Sequence, residues 1–430
     1  MIRQRNSNSP MNRNRQKIGI IIAAVLGLSL FVYIGINYFR DKAARQKQEQ
    51  ADKATRQAKL AARKAAEKEA RLALEKAVRT LHHACRYADS VGIDTSRYRA
   101  KSPADKARID ALLARLLLEI RYGKKPSRVA FSVKETIDTA WVHQTDAALA
   151  PQSLAALSKF EPYGQLIGHY NRIRNQASAN PAAADSLRLI QKTLNFYRYI
   201  NRFNPEQFVL VNIPAGELNV FDQTGGRLLP MQVIAGKTDR QTPCMTTYMQ
   251  SIVMYPQWNV PGKIVVEEML PRMKRNLTYI TSQNLQILDD KNREVDPKKI
   301  NWKQLSATYF PYRVRQASGC DNSLGLLKFN LVNPLAIYLH DTNSRDLFAA
   351  TPDRWRSHGC VRVQKPVELA NLVLGEAVFN DEYMGECLAN QKPHTLPIPK
   401  RFPVFITYNL ADVDESGKLR FYKDVYELGM

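Results

Sequence analysis

An apolar run near the N-terminus constrains this chain more than any other feature. Between Ile18 and Phe39 the sequence contains no charged residue, and about 20 apolar residues are enough for one helix to cross the hydrocarbon core of a bilayer. A cleaved signal peptide is the alternative, but its apolar core is only about 7–15 residues long, and no small-x-small site clearly ends this run. The sequence therefore predicts a transmembrane anchor over residues 18–39.

The charges beside this run predict its orientation. Residues 1–17 carry basic residues and no acidic ones, and such a flank tends to stay in the cytoplasm. The residues after Arg40 are also basic, which weakens the asymmetry. No cysteine closely follows the run, so a lipoprotein anchor is not expected. We expect a cytoplasmic tail over residues 1–17 and an extracytoplasmic location for the bulk of the chain.

The charge balance narrows the classes of partner. The 430 residues include 63 Lys and Arg against 40 Asp and Glu, a formal net charge of +23 at pH 7, which favours a polyanionic partner such as anionic lipid or acidic wall polymer. The basic residues do not alternate with aromatic residues, and no zinc-finger or RNA-recognition motif occurs. We therefore expect the membrane or the cell wall, and not nucleic acid, as the partner.

A basic segment follows the apolar run. Residues 41–88 are rich in Ala, Lys, Arg, Gln and Glu, with opposite charges four residues apart, as in Glu67 and Arg71, which favours a solvated helix. Such a helix would extend on the order of 70 Å at about 1.5 Å per residue. Sustained apolar heptads are lacking, so a coiled coil is not supported. A helical stalk and a disordered basic linker both remain open.

The rest of the chain predicts a helical region followed by a β-rich one, an α+β fold. Helical apolar spacing occurs within residues 100–203, which we interpret as a small helical scaffold domain. From residue 208 to residue 428 the composition favours strands, and only 367–374 has a clear helical pattern there. Strands are predicted at 208–213, 218–221, 229–235, 251–255, 325–330, 336–339, 404–408 and 419–422.

The cysteines form neither a disulfide framework nor a zinc ribbon, because they lack close repeated spacing. They are Cys85, Cys244, Cys320, Cys360 and Cys387. Their number is odd, so at least one is unpaired. A free thiol is a liability in an oxidising compartment, and its presence is weak evidence that one cysteine is reactive.

Two short motifs contain the candidate catalytic residues. The sequence YLHDT at 338–342 predicts a strand that ends at His340, and SHGCVR at 357–362 brings a cysteine next to a glycine. Only the thiolate of Cys360 would be strongly nucleophilic, and a nearby histidine could take its proton. Gly359 lets the backbone approach a substrate, so the N–H groups of Gly359 and Cys360 could face an oxyanion.

These motifs are similar to the signature of the L,D-transpeptidase catalytic domain. Further segments resemble the large Gram-negative subfamily that has a helical scaffold and a substrate-covering lid. They are LVNIP at 210–214, GKTDRQTP at 236–243, WNVP at 258–261 and LGLLKF at 324–329. The resemblance covers roughly residues 100–428. It implies a mostly β catalytic domain over 208–428, with a lid at 263–318, located in the periplasm behind a single-pass inner-membrane anchor.

The resemblance also implies the chemistry. The donor is a peptidoglycan stem tetrapeptide, which is cleaved between a diaminoacid and its terminal D-Ala while a cysteine is acylated. The acyl group then passes to an amine on a second stem. No cofactor and no metal take part. A suitably small β-lactam, such as a carbapenem, is expected to form an adduct with the same cysteine.

The site residues carried over from the resemblance have distinct expected roles. Cys360 is the nucleophile, and His340 is the general base and acid. His358 and Gly359 shape the oxyanion site, and Arg362 orients the loop, with a smaller chance of meeting a substrate carboxylate. The residues expected to contact substrate are Trp258, Asn259, Tyr279, Tyr338 and Ser357. Trp302 and Arg315, like Tyr279, line the groove or merely pack within the lid.

The chain departs from this subfamily in two places. Many relatives insert a peptidoglycan-binding module before the catalytic domain, whereas residues 173–194 offer only a short connection. The basic stalk could take over part of the wall retention. Cys244 follows Pro243 where a thiol is not expected, and we interpret it as a small buried residue.

Alternative functions remain open at this stage. His340, His358 and Cys360 are all competent zinc ligands, but no fourth ligand is suggested nearby. An L,D-carboxypeptidase, or an enzyme that attaches a protein amine to peptidoglycan, would use the same acyl-enzyme. A wall-binding protein without activity is the third alternative, although it would be expected to have lost Cys360 or His340.

Overall fold

A computed structural model of the chain describes residues 11–99, 105–143, 160–176, 181–350, 353–380, 382–383 and 391–429. The first ten residues of the expected cytoplasmic tail lie outside this range, as does Cys387. The chain divides into two compact units, Met1–Val78 and Arg79–Met430.

The helices and strands follow in chain order. The helices are α1 (Met11–Ser90), α2 (Lys106–Tyr122), α3 (Glu161–Arg174), α4 (Pro181–Ile200), α5 (Gly262–Ile264), α6 (Leu270–Arg275), α7 (Thr278–Ser282), α8 (Leu347–Ala350) and α9 (Pro366–Leu374). The strands are β1 (Phe131–Ser132), β2 (Gln207–Asn212), β3 (Glu217–Asp222), β4 (Arg227–Gly236), β5 (Met245–Met254), β6 (Trp258–Asn259), β7 (Leu285–Leu288), β8 (Arg313–Gln316), β9 (Leu327–Leu331), β10 (Tyr338–His340), β11 (Trp355–Ser357), β12 (Val361–Val363), β13 (His394–Thr407), β14 (Ala411–Val413) and β15 (Leu419–Phe421). The α+β fold class predicted from the sequence is confirmed.

The first unit is helical wherever it is described. Its residues belong to α1, which contains both the apolar run and the basic segment 41–88. The long side chains of the run are exposed, including Leu28 and Phe31, as a lipid environment requires. This helix is long and apolar enough to span a membrane, although a signal sequence near an N-terminus passes the same test. In the basic part, Arg63 forms an ion pair with Glu67 at 2.8 Å.

In the second unit, helices pack on one face of the main sheet. Leu194 and Phe196 of α4 contact Phe208 and Phe405 of the sheet in one buried cluster. Helix α2 begins after Asp105, whose carboxylate accepts a hydrogen bond from the Arg108 N–H at 2.8 Å, an N-cap interaction. Within the region expected as a helical scaffold, 100–203, the short strand β1 pairs with β5 in parallel. This short strand gains backbone pairing at a free sheet edge, a long-range contact that sequence periodicity does not contain.

The main sheet closes on itself. Its strands run in the order β1-β5-β13-β2-β3-β4-β12-β10-β9, and β9 also pairs with β5. Alternation along β2 explains its two buried faces, because successive side chains of a strand point to opposite sides. Val209 and Val211 contribute to the core inside the sheet, whereas Phe208 and Leu210 pack towards the helices.

A segment between β5 and β9 folds around a core of its own. Strands β6, β8 and β7 form a separate three-stranded sheet, and helices α5 to α7 pack on it around buried residues such as Met273 and Val314. We call residues 258–316 the inserted segment; the range expected for the lid, 263–318, overlaps it. Its short helices are additional to the one helix predicted in the β-rich region, because runs this short carry little periodic signal.

Candidate active site

Strands β10 and β12 place the two candidate catalytic residues next to each other. The strands are parallel, with Leu339 opposite Val361 and His340 opposite Arg362. Cys360 immediately precedes β12 and is therefore level with Tyr338, two residues before His340. Because side chains alternate along a strand, Cys360, Tyr338 and His340 share one face of the sheet.

The opposite face of the same strands explains why this register holds. Leu339 and Val361 are completely buried in the core, together with Phe329 of the neighbouring strand β9. A slip of one residue would turn these apolar side chains outward and the polar ones into the core. Core packing therefore fixes the relative position of Cys360 and His340.

The His340 ring is buried and oriented by the backbone. Its Nδ1 lies 2.5 Å from the carbonyl oxygen of Asp341, and a carbonyl oxygen can only accept, so Nδ1 carries the proton. Nε2 is then the atom that can accept a proton. Burial, together with the charges of Arg362 and Lys328, lowers the pKa of His340 to about 3, although the hydrogen bond to Asp341 acts in the opposite direction. The ring is neutral at pH 7.

The Asp341 carboxylate supports the loop that follows His340. It is fully buried, it forms a two-pronged ion pair with Arg345 at 2.7 and 3.1 Å, and it accepts a hydrogen bond from the Leu326 N–H at 2.8 Å. Gly325, at φ +64°, lies so close that a Cβ there would overlap the carboxylate. Asp341 thus holds the backbone carbonyl that orients His340, which agrees with its interpretation as a turn residue.

Cys360 is half-buried and carries its proton at neutral pH. Burial raises the pKa of its thiol to about 11, although hydrogen bonds from Tyr338 and the charge of Lys328 act in the opposite direction. The thiol lies 3.7 Å from the carbonyl oxygen of Ala336, a residue in the left-handed region at φ +54°. Because the thiol and the imidazole are both neutral, an attack by the sulfur of Cys360 must be accompanied by transfer of the thiol proton.

The loop before Cys360 is held by hydroxyl groups. Ser357 Oγ donates to the carbonyl oxygen of Cys360 and accepts from the Gly359 N–H. Thr242 Oγ1 donates to the Gly359 carbonyl oxygen at 2.8 Å. Gly359 has φ +118°, a conformation that favours glycine. The Gly359 N–H therefore already has a partner, and to stabilise an oxyanion, as the sequence suggested, it would have to leave Ser357.

His358 links the loop to the inserted segment. Its Nε2 lies 2.9 Å from Oε1 of Glu268, in the π-helical segment Val265–Met269 between α5 and α6. The same carboxylate lies 3.3 Å from Arg240, which also contacts Glu267 at 2.5 Å. These contacts connect the inserted segment, which contains Glu267 and Glu268, to two loops of the main sheet, which contain Arg240 and His358.

The residues expected to contact substrate are not all brought together. Burial raises the pKa of Tyr338, and the neighbouring Cys360 raises it further while Trp258 lowers it, so Tyr338 lies close to both the thiol and Trp258. Ser357 is buried beneath the loop. Asn259 is exposed and pairs with Arg315 in the inserted segment.

Two other aromatic residues of the inserted segment, Tyr279 and Trp302, pack against its own core. Arg315 donates to Gln286 within that segment. Cys244 packs against the main core, and burial raises the pKa of its thiol to about 12.

Sequence reasoning missed Lys328 as a site residue. Lys328 lies opposite His340 in β9, and its Nζ lies 4.2 Å from the ring centre of Tyr338. Burial lowers its pKa, and the neighbouring Cys360 raises it. Only the antiparallel register of β9 and β10 reveals this position, and a strand register is not readable from one sequence.

The described residues contain no group of three or more His, Cys, Asp or Glu side chains that could hold a metal ion. The zinc alternative also conflicts with the orientation of His358 towards Glu268. A cysteine and a histidine on one face of a mostly β domain are typical instead of enzymes that use a thiol nucleophile.

Comparison with known proteins identifies the family. Residues 206–406 match the model of the YkuD family, described as the L,D-transpeptidase catalytic domain. This part of the chain is therefore an L,D-transpeptidase catalytic domain of the YkuD family.

One curated relative and several solved structures resemble about half of the chain. A putative L,D-transpeptidase of Haemophilus influenzae is 40% identical over 218 residues, which cover 51% of this chain and 44% of the relative. An L,D-transpeptidase from Mycobacterium smegmatis is 12% identical over 47% of this chain and 58% of its own, with a TM-score of 0.21. L,D-transpeptidase 3 from Mycobacterium tuberculosis is 11% identical over 47% and 61%, with a TM-score of 0.23.

Proposed function

We propose that this protein is a peptidoglycan L,D-transpeptidase that cross-links stem peptides through a Cys360 acyl-enzyme. The observation that carries the proposal is the position of Cys360 beside His340 on one face of a YkuD-family domain, fixed by the register of β10 and β12. The 40% identity to a protein described as a putative L,D-transpeptidase supports the same activity.

The reaction divides into two acyl transfers. Cys360 Sγ attacks the carbonyl carbon of the diaminoacid as its proton passes to His340 Nε2, and the bond to the terminal D-Ala nitrogen breaks. That nitrogen takes the proton from His340 and D-Ala leaves, so that a thioester remains. An amine of a second stem then attacks the thioester, His340 accepts a proton from the amine and returns it to the sulfur, and a new peptide bond forms. His340, neutral at rest, serves as base and acid in turn.

The supports for Cys360 and His340 suit these steps. Asp341 holds the carbonyl oxygen that keeps Nδ1 protonated, so that Nε2 is free in each transfer. Arg362 is half-buried beside His340 in the register and contributes positive charge to this face. For the oxyanion, we propose the Cys360 N–H, joined by the Gly359 N–H if the loop releases Ser357.

The chemistry and the cysteines support a proposed location. Cys320 is disulfide-bonded, which is typical of an oxidising compartment. We propose a single-pass inner-membrane protein whose catalytic domain lies in the periplasm, with the inserted segment acting as a lid over the substrate.

The test is incubation of the full chain in detergent with a disaccharide tetrapeptide, followed by mass spectrometry beside Cys360→Ala. A cross-linked dimer made only by the unmodified protein is the expected product. Tripeptide alone would instead favour the carboxypeptidase, in which water resolves the same thioester. No product, together with no carbapenem adduct on a folded protein, would contradict the assignment of Cys360.

A further inference from the structure

Two cations accompany Cys360 on its face of the sheet. On β10, His340 lies between two paired cations, Lys328 of β9 and Arg362 of β12. All three side chains are on the same face of the sheet as the thiol. Both cationic side chains are partly buried. The charge of Lys328 is felt by Cys360, and that of Arg362 by His340, so both lie close to the catalytic pair.

Neither cation has a carboxylate partner among the described residues. No ion pair within 4 Å joins Lys328 or Arg362 to the described Asp and Glu side chains, whereas Arg345 beside them binds Asp341. Within the part of the chain that the structure describes, the buried Nε of Arg362 has no hydrogen-bond partner, and its Nη1 donates to Thr342 Oγ1 at 3.5 Å. Lys328 meets the face of the Tyr338 ring.

Unpaired charges in such a position are costly to folding. Removing a cation from water without an opposite charge disfavours the folded state by several kcal/mol in general. Two such cations beside a nucleophile therefore require an explanation in terms of a ligand. A carboxylate is the anion that a lysine and an arginine together bind well, through charge-assisted hydrogen bonds.

We propose that Lys328 and Arg362 form a subsite for the terminal carboxylate of the donor stem peptide, which makes the enzyme selective for donors with a free C-terminus. This inference rests on the proposed function. In such a donor the terminal carboxylate carbon is three bonds from the carbonyl carbon that Cys360 attacks, a distance below about 4 Å. The side-chain carboxylate of the diaminoacid is several bonds further away, so the terminal carboxylate is the better match.

The test compares three donor tetrapeptides: the free acid, the C-terminal amide, and the free acid whose diaminoacid side-chain carboxyl is amidated. The rate of acylation of Cys360 in the full chain in detergent is followed by mass spectrometry. We expect the C-terminal amide to react about tenfold or more slowly than the free acid, as for the loss of one charged hydrogen bond. We expect the side-chain amide to react like the free acid.

Variants then assign the selectivity to the two cations. In Lys328→Gln and Arg362→Gln the ratio of free-acid to amide rates should fall towards one, whereas Arg362→Lys should keep part of it. Lys400→Gln, at an exposed lysine outside the site, is the matched control and should keep the full ratio. If Lys328→Gln slows both donors equally, the lysine acts on the thiol and the subsite is wrong. A rate loss confined to the side-chain amide would also overturn it.

A second measurement does not depend on turnover. N-acetyl-D-alanine should protect Cys360 of the unmodified protein from iodoacetamide, N-acetyl-D-alaninamide should not, and Lys328→Gln should abolish the difference. Protection with this pattern while no stem peptide acylates Cys360 would support the subsite and contradict the proposed function. Equal effects of acid and amide in an enzyme that does acylate would contradict the subsite alone.

Discussion

At the scale of single residues, the protonation states of Cys360 and His340 decide how the proposed reaction would begin. Burial keeps both groups neutral, because it raises the pKa of the thiol to about 11 and lowers that of the imidazole to about 3. A preformed ion pair of thiolate and imidazolium would need the opposite shifts. The resting site is therefore a neutral pair, and the substrate must be in place before the proton moves.

This state predicts the pH dependence of thiol alkylation. The thiolate is the reactive form, so the rate of iodoacetamide modification of Cys360 should rise about tenfold per pH unit from pH 6 to pH 9 without a plateau. Peptide mass spectrometry separates Cys360 from Cys85 and Cys244, which are also free. A plateau near pH 6 would show a preformed thiolate and contradict the neutral pair.

The same residue predicts a loss of stability in acid. An unfolded chain protonates His340 below a pH of about 6.5, whereas the folded chain does so only near pH 3. The unfolded state therefore binds more protons between these values, and the free energy of unfolding should fall by up to about 1.4 kcal/mol per pH unit from this group as the pH drops through that window. Urea titrations at pH 7, 6 and 5 measure the effect. His340→Gln should show a shallower decline, and an identical decline would count against a buried neutral ring.

At the scale of elements, the inserted segment and the main sheet have separate cores. Met273 is completely buried in the inserted segment, and Leu339 is completely buried in the sheet directly behind the site. Among the described residues, the contacts that join the inserted segment to the main sheet include polar ones, such as the hydrogen bond between His358 and Glu268. Such contacts on a partly exposed surface are weak. The inserted segment can thus loosen while the catalytic register is kept.

Hydrogen exchange should separate the two cores. Truncating a buried Met or Leu to Ala costs about 2–5 kcal/mol. Met273→Ala is expected to increase exchange within residues 258–316 and leave β10 and β12 protected, whereas Leu339→Ala should increase exchange throughout the main sheet. If Met273→Ala exposed the main sheet equally, the inserted segment would not be an independent unit.

Glu268→Gln, which removes the charge facing His358, should raise KM for the donor more than it lowers kcat.

At the scale of the whole molecule, the sequence predicts what is local and misses what depends on register. The strands around Phe208, Leu218 and Val404 follow from composition, and the catalytic pair follows from two motifs. Lys328 and the strand Phe131–Ser132 depend on pairing between distant segments, and no periodicity contains that information. The sequence also does not reveal that the Gly359 N–H already donates a hydrogen bond to Ser357, because this bond forms only once the loop is folded.

The N-terminal unit carries the last prediction, which concerns the membrane. The side chains between Ile18 and Phe39 are exposed on α1, so water would leave a long apolar surface uncovered, and a bilayer would cover it. The full chain should remain with the membrane fraction after alkaline carbonate extraction, and its intact mass should still include Met1 or Ile2.

Two variants sharpen this test. Removal of residues 1–40 should release a protein that keeps carbapenem labelling of Cys360, because Arg79–Met430 is a compact unit of its own. Leu28→Arg should weaken insertion, since a charge at the centre of a span costs about 2.5–3.5 kcal/mol, whereas Leu28→Ile is the matched control. A mature protein that begins near residue 40 would establish a cleaved signal peptide in place of the anchor.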